Sequence, residues 1–279
     1  MGTITPAQLG VFEQTVLAYY RTHGRHDLPW RQIEPDGSID PYKILVSELM
    51  LQQTQVPRVI PKFQEFMKRF ATFESLAEAP LAEVLKLWSG LGYNRRAKFL
   101  WQAAQMVVQE YAGQLPRTSA ELVRLPGVGA NTAGALLAYA YNQPAVFIET
   151  NIRTAFIYHF FAEEQREQAA VHDKDILELV ARALPDDART WYWALMDYGT
   201  HLKQTMGNLN TLSKHYTKQS AFAGSRRQIR GQVLRLLSTQ PQTLQDLCAA
   251  IADARLESVL EDLIHEGMMV IDKGRYMLP

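Results

Sequence analysis

Apolar residues recur every three or four positions along most of this 279-residue chain, which is the period of amphipathic helices. β signals are almost absent before residue 268, so we predict a mainly α body. Two helices are expected within 41–70, with breaks near Pro57 and Pro61. The other segments with helical periodicity are 5–24, 75–92, 94–113, 118–125, 131–142, 173–185 and 188–202.

The pattern changes near residue 205. Residues 204–225 lack apolar periodicity and are expected to form an extended basic loop. Three short helical patterns follow at 226–239, 243–251 and 255–267, and two apolar runs around a Lys-Gly turn at 268–279 predict a hairpin. This order is typical of a winged helix. Such a module either contacts DNA or serves as a small packing or protein-interaction domain.

Composition fits an ordinary globular protein. The chain is 47% hydrophobic and 21% charged, and no apolar run reaches the ~20 residues of a membrane helix. The N-terminal segment has no basic start followed by an apolar core, so a secretory signal is not expected. One cysteine, Cys248, excludes an internal disulfide and a thiolate-held cluster. We therefore expect a cytoplasmic protein, associated with the nucleoid if the source is bacterial.

The charges balance overall but are unevenly distributed. Lysines and arginines total 29, and acidic residues also total 29. Between residues 198 and 245, however, there is no acidic residue, and this one-signed run predicts a surface that faces phosphates. Its seven basic residues are Lys203, Lys214, Lys218, Arg226, Arg227, Arg230 and Arg235.

The stretch LPGVG, residues 125–129, lies between two predicted helices. Gly127 and Gly129 permit a sharp turn and expose backbone N–H groups at the start of the second helix. Helix N-termini of this kind attract phosphate. The motif predicts a hairpin that grips a nucleic-acid backbone, and the alternative is a plain turn between helices.

Four motifs in this order resemble the helix-hairpin-helix (endonuclease III-like) DNA glycosylase superfamily, and most of all its MutY-type adenine glycosylases. They are PYKILVSELMLQQTQV, LWSGLGYNRRAKFLWQAA, LPGVGANTAGALLAYA and FIETNIRTAF. The resemblance implies a two-lobed core at 1–222, with one lobe at 30–138 and the other at 1–29 plus 139–222. The winged-helix-like domain is predicted at 223–279. The implied function is base excision repair, in which a damaged, modified or mispaired base is flipped out and its N-glycosidic bond is hydrolysed.

Such a reaction develops positive charge on the sugar and negative charge on the leaving base, which two carboxylates can serve. Glu48 matches the family's proton donor, and its apolar neighbours favour a raised pKa. Glu149 stands where the family carries an aspartate, and Asn151 matches its positioning asparagine. The extra methylene of Glu149 indicates either a pocket shifted toward another substrate or an impaired site. We favour the first, because a decayed site has no need to keep a carboxylate.

The resemblance also implies how DNA is held. Related enzymes that nick the strand place a lysine two residues after the last hairpin glycine, where this chain has Asn131, so the reaction should stop at an abasic site. Trp30 and Arg31 are expected in the base pocket, whereas Trp88, Trp101, Trp191 and Trp193 are expected in the core. The predicted DNA contacts are Gln52, Gln53, Gln55, Tyr93, Gly127, Gly129, Ala130, Asn131, Lys203, Lys214 and Lys218.

The chain departs from the family in two places. The four cysteines of the usual iron–sulfur cluster are missing, with Lys203 at the first position, and the C-terminal domain that recognises oxidised guanine is replaced. We expect no cofactor and no metal site, although the hairpin leaves room for a monovalent cation. The partner is duplex DNA with a lesion or mismatch, bound by a monomer. Mispaired adenine, a modified pyrimidine such as uracil or hydroxymethyluracil, and mispaired thymine stay open as substrates, and so does a non-catalytic damage-binding protein.

Overall fold

The computed structural model describes residues 4–161 and 170–279. The chain forms two compact units. The first contains residues 1–44, 117–123 and 128–218, and the second contains residues 45–116, 124–127 and 219–279. Among the described residues, no helix is both long and apolar enough to cross a membrane.

The first unit is built from helices around a core of aromatic side chains. Phe12 contacts the edges of Phe156 and Trp191, at centroid distances of 4.8 and 5.7 Å, and all three are almost fully buried. Its helices are α1 (Pro6–His23), α7 (Ser119–Leu122), α8 (Ala130–Tyr141), α9 (Thr150–Phe160), α10 (Asp173–Arg182) and α11 (Ala188–Met206).

A buried ion pair fixes the segment after α1 to α11. Arg31 donates two hydrogen bonds to the Asp197 carboxylate, at 2.9 and 3.0 Å, and Arg25 donates to it from its backbone N–H and its guanidinium. Burial opposes ionisation of Asp197, but the bonds and charges of the two arginines outweigh it, so the pKa of this carboxyl lies below its usual value. Residues 25–31 are thereby tied to the middle of α11.

The second unit packs on Phe66, Phe70 and Trp88, which are fully buried. Helix α2 (Pro41–Leu51) begins in the first unit and ends in the second. The other elements of the second unit are α3 (Val56–Arg69), α4 (Phe73–Ala77), α5 (Leu81–Trp88), α6 (Arg95–Tyr111), α12 (Arg226–Thr239), α13 (Leu244–Ala250), α14 (Leu256–His265), β1 (Val270–Asp272) and β2 (Arg275–Met277).

One buried cation joins the end of α2 to the loop before α6. The Arg96 guanidinium donates to the carbonyl oxygens of Leu49 and Met50 at 2.6 and 2.9 Å. It also donates to the Gly92 carbonyl at 2.9 Å and to the Thr54 hydroxyl at 3.1 Å. Burial lowers the pKa of Arg96 to about 10, so the side chain stays charged at neutral pH. It satisfies carbonyls that a helix C-terminus leaves without intrahelical partners.

The C-terminal segment has the predicted order of three helices and a hairpin. Strands β1 and β2 pair antiparallel, with Val270 opposite Met277. Lys273 and Gly274 both have positive φ, 46° and 74°, which suits a two-residue hairpin turn. Gln242, between α12 and α13, adds a backbone bridge to β2. The winged-helix name remains a prediction from this order of elements.

Two details differ from the sequence predictions. Pro61 lies inside α3 instead of at a break, because α3 begins at Val56 and the proline falls in its second turn. The two units also divide the chain differently from the predicted lobes. Residues 30–44 belong to the first unit, where Arg31 bonds Asp197, and residues 219–279 belong to the second unit with α3–α6.

We predict that Arg96→Leu lowers the free energy of unfolding by roughly 3 kcal/mol, because several buried acceptors lose their donor. Urea unfolding followed by circular dichroism measures this. The matched control is Arg95→Leu, since Arg95 is 61% exposed and should change stability by no more than ~0.5 kcal/mol. Equal losses in the two variants would contradict the role assigned to Arg96.

Candidate active site and nucleic-acid interface

Glu48 lies in the last turn of α2, where the sequence predicts the proton donor. The residue is half-buried, and its neighbours Ser47 and Leu49 are fully buried. Its carbonyl accepts from the Gln52 N–H at 3.2 Å, and Arg96 holds the next two carbonyls. The position of this glutamate is therefore set by a capped helix end.

The hairpin glycines serve different needs. Gly127 has φ +81°, and a Cβ there would lie 2.9 Å from Phe99 Cβ and 3.1 Å from Leu49 Cδ2. Backbone conformation and internal packing therefore require a glycine at 127, in line with the predicted sharp turn, and its contact with a phosphate stays a prediction. Gly129 is exposed and has open space around it. It is the N-cap residue of α8, and as a glycine it has no side chain that could bond the first N–H groups of the helix. Of the two, Gly129 has the surface that a phosphate can reach.

The start of α8 meets the segment that carries Glu149. Ala130 and Asn131 are exposed. The Asn131 Oδ1 accepts a long hydrogen bond, 3.5 Å, from the backbone N–H of Ile148, the residue before Glu149. Asn131 thus links the hairpin to this segment within the first unit.

Glu149 is the N-cap residue of α9 and is half-buried. Its carbonyl accepts the N–H of Arg153 at 2.8 Å, which starts the helix. Withdrawal from water raises the pKa of the Glu149 carboxyl above its ordinary value. Glu48 belongs to the second unit and Glu149 to the first.

Asn151 is held against α11. Its Nδ2 donates to the Thr200 hydroxyl at 3.2 Å. Beside it, a Cβ on Gly199 would lie only 2.1 Å from the Asn151 carbonyl oxygen, so α9 and α11 approach here at glycine distance. A larger residue at 199 would push Asn151 away from its place beside Glu149.

The predicted base-pocket residues are both buried. Trp30 and Arg31 lie in a short 3-10 turn, with exposed fractions of 5% and 6%. The Arg31 Nη atoms are bonded to Asp197, and its guanidinium lies over the Trp193 ring at 5.2 Å. This is the environment of a structural ion pair, and the pocket role stays a prediction.

The predicted glutamine wedge follows α2. Gln53 is exposed with φ +57°, and Gln55 is the exposed N-cap of α3. Gln52 is half-buried, and its Nε2 makes a long contact of 3.5 Å with the Gly127 carbonyl. Tyr93 has φ +47° and is half-buried. The structure thus joins Gln52 to the hairpin and leaves Gln53 and Gln55 at the surface.

The basic residues of the run have different environments. Lys203, Lys214 and Lys218 are exposed, as a phosphate-facing surface requires. Arg226 instead pairs with Asp262 at 2.6 Å, and Arg230 pairs with Glu266. Acids from other parts of the chain pair with these two arginines, so the predicted phosphate-facing surface rests on the lysines of the run.

A polar network holds the segment that carries Asn210 and Ser213. Arg153 donates to both oxygens of Asp173, at 2.8 and 2.7 Å, and these bonds lower the pKa of that carboxyl. The buried Asn210 donates to the Thr154 hydroxyl at 2.7 Å. Ser213 and Val171 form a backbone bridge. Within residues 4–161 and 170–279, no three His, Cys, Asp or Glu side chains gather as metal ligands.

Comparisons with known proteins identify the family of the chain. The pattern of HhH-GPD superfamily base excision DNA repair proteins matches residues 46–182. An adenine DNA glycosylase of Mycolicibacterium smegmatis is 34% identical over 288 residues, covering 96% of this chain and 93% of that protein. One from Buchnera aphidicola is 43% identical over 150 residues, covering 54% of this chain and 41% of that relative. With that relative, the chain thus shares less than half of the relative's length.

Solved structures show the same fold. A thermostable thymine-DNA glycosylase aligns with a TM-score of 0.59 and 28% identity, over 69% of this chain and 86% of that one. A non-covalent endonuclease III–DNA complex aligns with a TM-score of 0.55 at 18% identity, over 80% of this chain and 92% of that one.

The chain therefore belongs to the HhH-GPD superfamily of base excision DNA repair proteins. Within this superfamily its relatives are DNA glycosylases, and they include the adenine DNA glycosylases of the MutY type. The predicted helix-hairpin-helix glycosylase fold and its place in base excision repair are confirmed.

Sequence reasoning missed three residues that position the site. Arg96 holds the end of α2, Gly199 admits Asn151, and Arg227 donates to the Tyr93 hydroxyl. A glycine inside the apolar pattern of α11 was a signal for close helix packing at Gly199. The two arginines had no signal, because a basic residue that begins a helix is indistinguishable in sequence from a solvated one.

We predict that Gly127→Ala destabilises the protein by more than ~1 kcal/mol, because it combines positive φ with a short contact to Phe99. Gly129→Ala should stay within ~0.5 kcal/mol, since space around Gly129 is open. Chemical unfolding of both variants measures the difference. Comparable losses would show that the two glycines share one role.

Proposed function

We propose that this protein is a monofunctional DNA glycosylase that releases a mispaired or damaged base and leaves an abasic site. The observation that carries the proposal is Glu48, a half-buried carboxyl in a helix end that Arg96 holds in place. A carboxyl that a helix end holds in one position is suited to donate a proton to a leaving base.

In this proposal Glu48 protonates the leaving base while Glu149 stabilises the positive charge that develops on the sugar. Asn151 orients the sugar-side carboxylate and the substrate. The role of Glu149 needs its ionised form, and burial raises its pKa. The rate of base release should therefore fall as the pH drops through the raised pKa of Glu149. Ionisation of Glu149 limits the rate no further once the pH is above this pKa.

The proposed base is adenine in a mispair. The mycobacterial adenine glycosylase aligns with 96% of the chain. The aligned part includes most of residues 223–279, the C-terminal module. A chain of this length and architecture is therefore compatible with adenine release. The second candidate is a mispaired thymine or a modified pyrimidine, favoured by the likeness to a thymine-DNA glycosylase and by the glutamate at position 149.

We also propose that the protein works without an iron–sulfur cluster and without lyase activity. A single cysteine cannot hold four irons, and the bonds of Arg153, Asp173 and Asn210 order the loop in its place. Asn131 cannot form a Schiff base with an abasic sugar. One copy of the protein would act at each lesion, in the compartment that holds the DNA.

A panel of duplex oligonucleotides tests the base. Each duplex carries one candidate (adenine opposite guanine or oxidised guanine, thymine opposite guanine, uracil, or hydroxymethyluracil), and strand breaks are scored with and without alkali. We expect breaks with the adenine mispairs, and only after alkali. Breaks without alkali would contradict the absence of lyase activity, and tight binding with no base release would identify a damage-binding protein instead.

We predict that Glu48→Gln lowers the single-turnover rate of base release by about 10²–10⁴-fold with little loss of duplex affinity, because the proton donor is removed. Quenched-flow or manual time courses with excess enzyme measure it. Glu65→Gln, a change at a glutamate that is 53% exposed, is the matched control and should leave the rate unchanged. A Glu48→Gln rate above a tenth of wild type would assign proton donation elsewhere.

We predict that replacing Lys203, Lys214 and Lys218 together by alanine weakens binding to every duplex. Each lost phosphate contact should lower the slope of log affinity against log salt by about 0.9. Preference for the target base should persist, since backbone contacts carry no sequence information. The control variant replaces the exposed Lys68, Lys86 and Lys174, which carry the same charge. If both triple variants have the same slope of log affinity against log salt as wild type, the loop with these three lysines does not contact DNA.

A further inference from the structure

We propose that Arg227, in the C-terminal module, is a positioning residue for Tyr93, and that the module thereby sets the conformation of an aromatic side chain that contacts DNA. The inference rests on the proposed function, because it takes Tyr93 to be part of the DNA-binding surface. It goes beyond that function because it gives the C-terminal module, residues 223–279, a direct part in building this surface.

The Tyr93 loop is held by its backbone from within the second unit. The indole N–H of Trp88 donates to the Gly92 carbonyl at 3.2 Å, and Arg96 donates to the same oxygen at 2.9 Å. The Arg96 N–H also donates to the Tyr93 carbonyl at 2.9 Å. Tyr93 itself is left in a positive φ of 47°, a conformation that is costly for a residue with a side chain.

The side chain of Tyr93 contacts two guanidinium groups: that of Arg96, 5.6 Å from the ring centroid, and that of Arg227 in α12. Arg227 Nη1 donates to the Tyr93 hydroxyl at 2.6 Å, and the guanidinium lies over the Tyr93 ring, 5.3 Å from its centroid. The other nitrogen, Nη2, donates to the Ser220 carbonyl at 2.6 Å. A planar guanidinium fixed at both nitrogens restricts the ring that it contacts. The phenol accepts this bond, so it keeps its own proton for donation.

The position of Arg227 is fixed in turn by how α12 and α14 pack on the rest of the unit. Glu266, at the end of α14, pairs with Arg230 and lies 3.7 Å from Arg95 of α6. Lys98 of α6 donates to the Glu266 carbonyl. These contacts fix the position of α12 beside the Tyr93 loop. The two terminal nitrogens of Arg227 are already bonded to Tyr93 and Ser220, so we expect Arg227 not to bind a phosphate.

A ring ordered before DNA arrives does not lose rotational freedom on binding. Ordering one flexible side chain at an interface corresponds to roughly 2–10-fold in affinity. Removing Arg227 should therefore weaken the binding of DNA through Tyr93 alone, and not through a lost phosphate contact. These two causes give different results in a double-mutant cycle.

The first test uses the free protein. Hydrogen exchange read by mass spectrometry over residues 89–96 should be faster in Arg227→Ala than in wild type. Arg226→Ala is the matched control. It removes the same charge from the adjacent residue, and Arg226 bonds Ser258 and Asp262 instead of Tyr93. Unchanged exchange in Arg227→Ala overturns the positioning role. Arg227→Lys serves if the alanine variant does not fold.

The second test measures affinity for a duplex with a stable tetrahydrofuran abasic analogue, at fixed salt. We expect Arg227→Ala to weaken binding about 2–10-fold and to have no further effect in a Tyr93→Ala background, with the salt slope unchanged. A loss that persists in Tyr93→Ala, with a shallower slope, makes Arg227 a phosphate contact and overturns the proposal. If wild type binds no duplex, the proposed function fails as well. If wild type binds and Tyr93→Ala weakens it while Arg227→Ala does not, only this inference fails.

Discussion

The arrangement of the candidate site residues in the second unit depends on the hydrogen bonds of the buried Arg96 guanidinium. It donates to the last carbonyls of α2, which have no intrahelical donor, and it shares the Gly92 carbonyl with the indole N–H of Trp88. Burying one cation is costly, and the depression of its pKa to about 10 reflects that cost. The acceptors around it offset the cost, because bonds from an ionised donor are about twice as strong as neutral ones. Glu48 and Tyr93, the predicted acid and the predicted DNA-contacting aromatic, are both held next to the same cation.

The first unit uses the same physical solution with the charges reversed. Asp197 is a buried anion that accepts from two arginines, and it ties the 3-10 turn with Trp30 and Arg31 to α11. Further along the unit, Arg153 bonds both oxygens of Asp173 and thereby joins α9 to the start of α10. Asn210 adds a bond to the Thr154 hydroxyl of α9, so a network of several polar contacts forms here. Such a network depends on ionised Asp173, whose pKa is lowered, so its contribution is present above the ordinary carboxyl pKa and is lost as pH falls below it.

Much of the fold could be predicted from the sequence, because helical period, caps and turn residues are local signals. The α12 pattern and the Lys273–Gly274 turn are where the sequence predicts them. The unit boundaries were less predictable, since they depend on long-range pairs such as Arg31 with Asp197. At the candidate site, the motif resemblance indicated Glu48 and Glu149 as candidates, but it could not separate Gly127 from Gly129. Their difference lies in Phe99, which approaches one glycine from a distant part of the chain.

The basic run at 198–245 shows why charge patterns alone overstate a binding surface. Its lysines, at 203, 214 and 218, are exposed. Most of its arginines instead bond acidic or hydroxyl groups from distant sequence, among them Asp262, Glu266 and Tyr93. A planar guanidinium with several donors is suited to such fixed contacts. Positive charge in the sequence is therefore not enough to identify a free surface, because acids and hydroxyls that lie far away in the sequence already bond part of it.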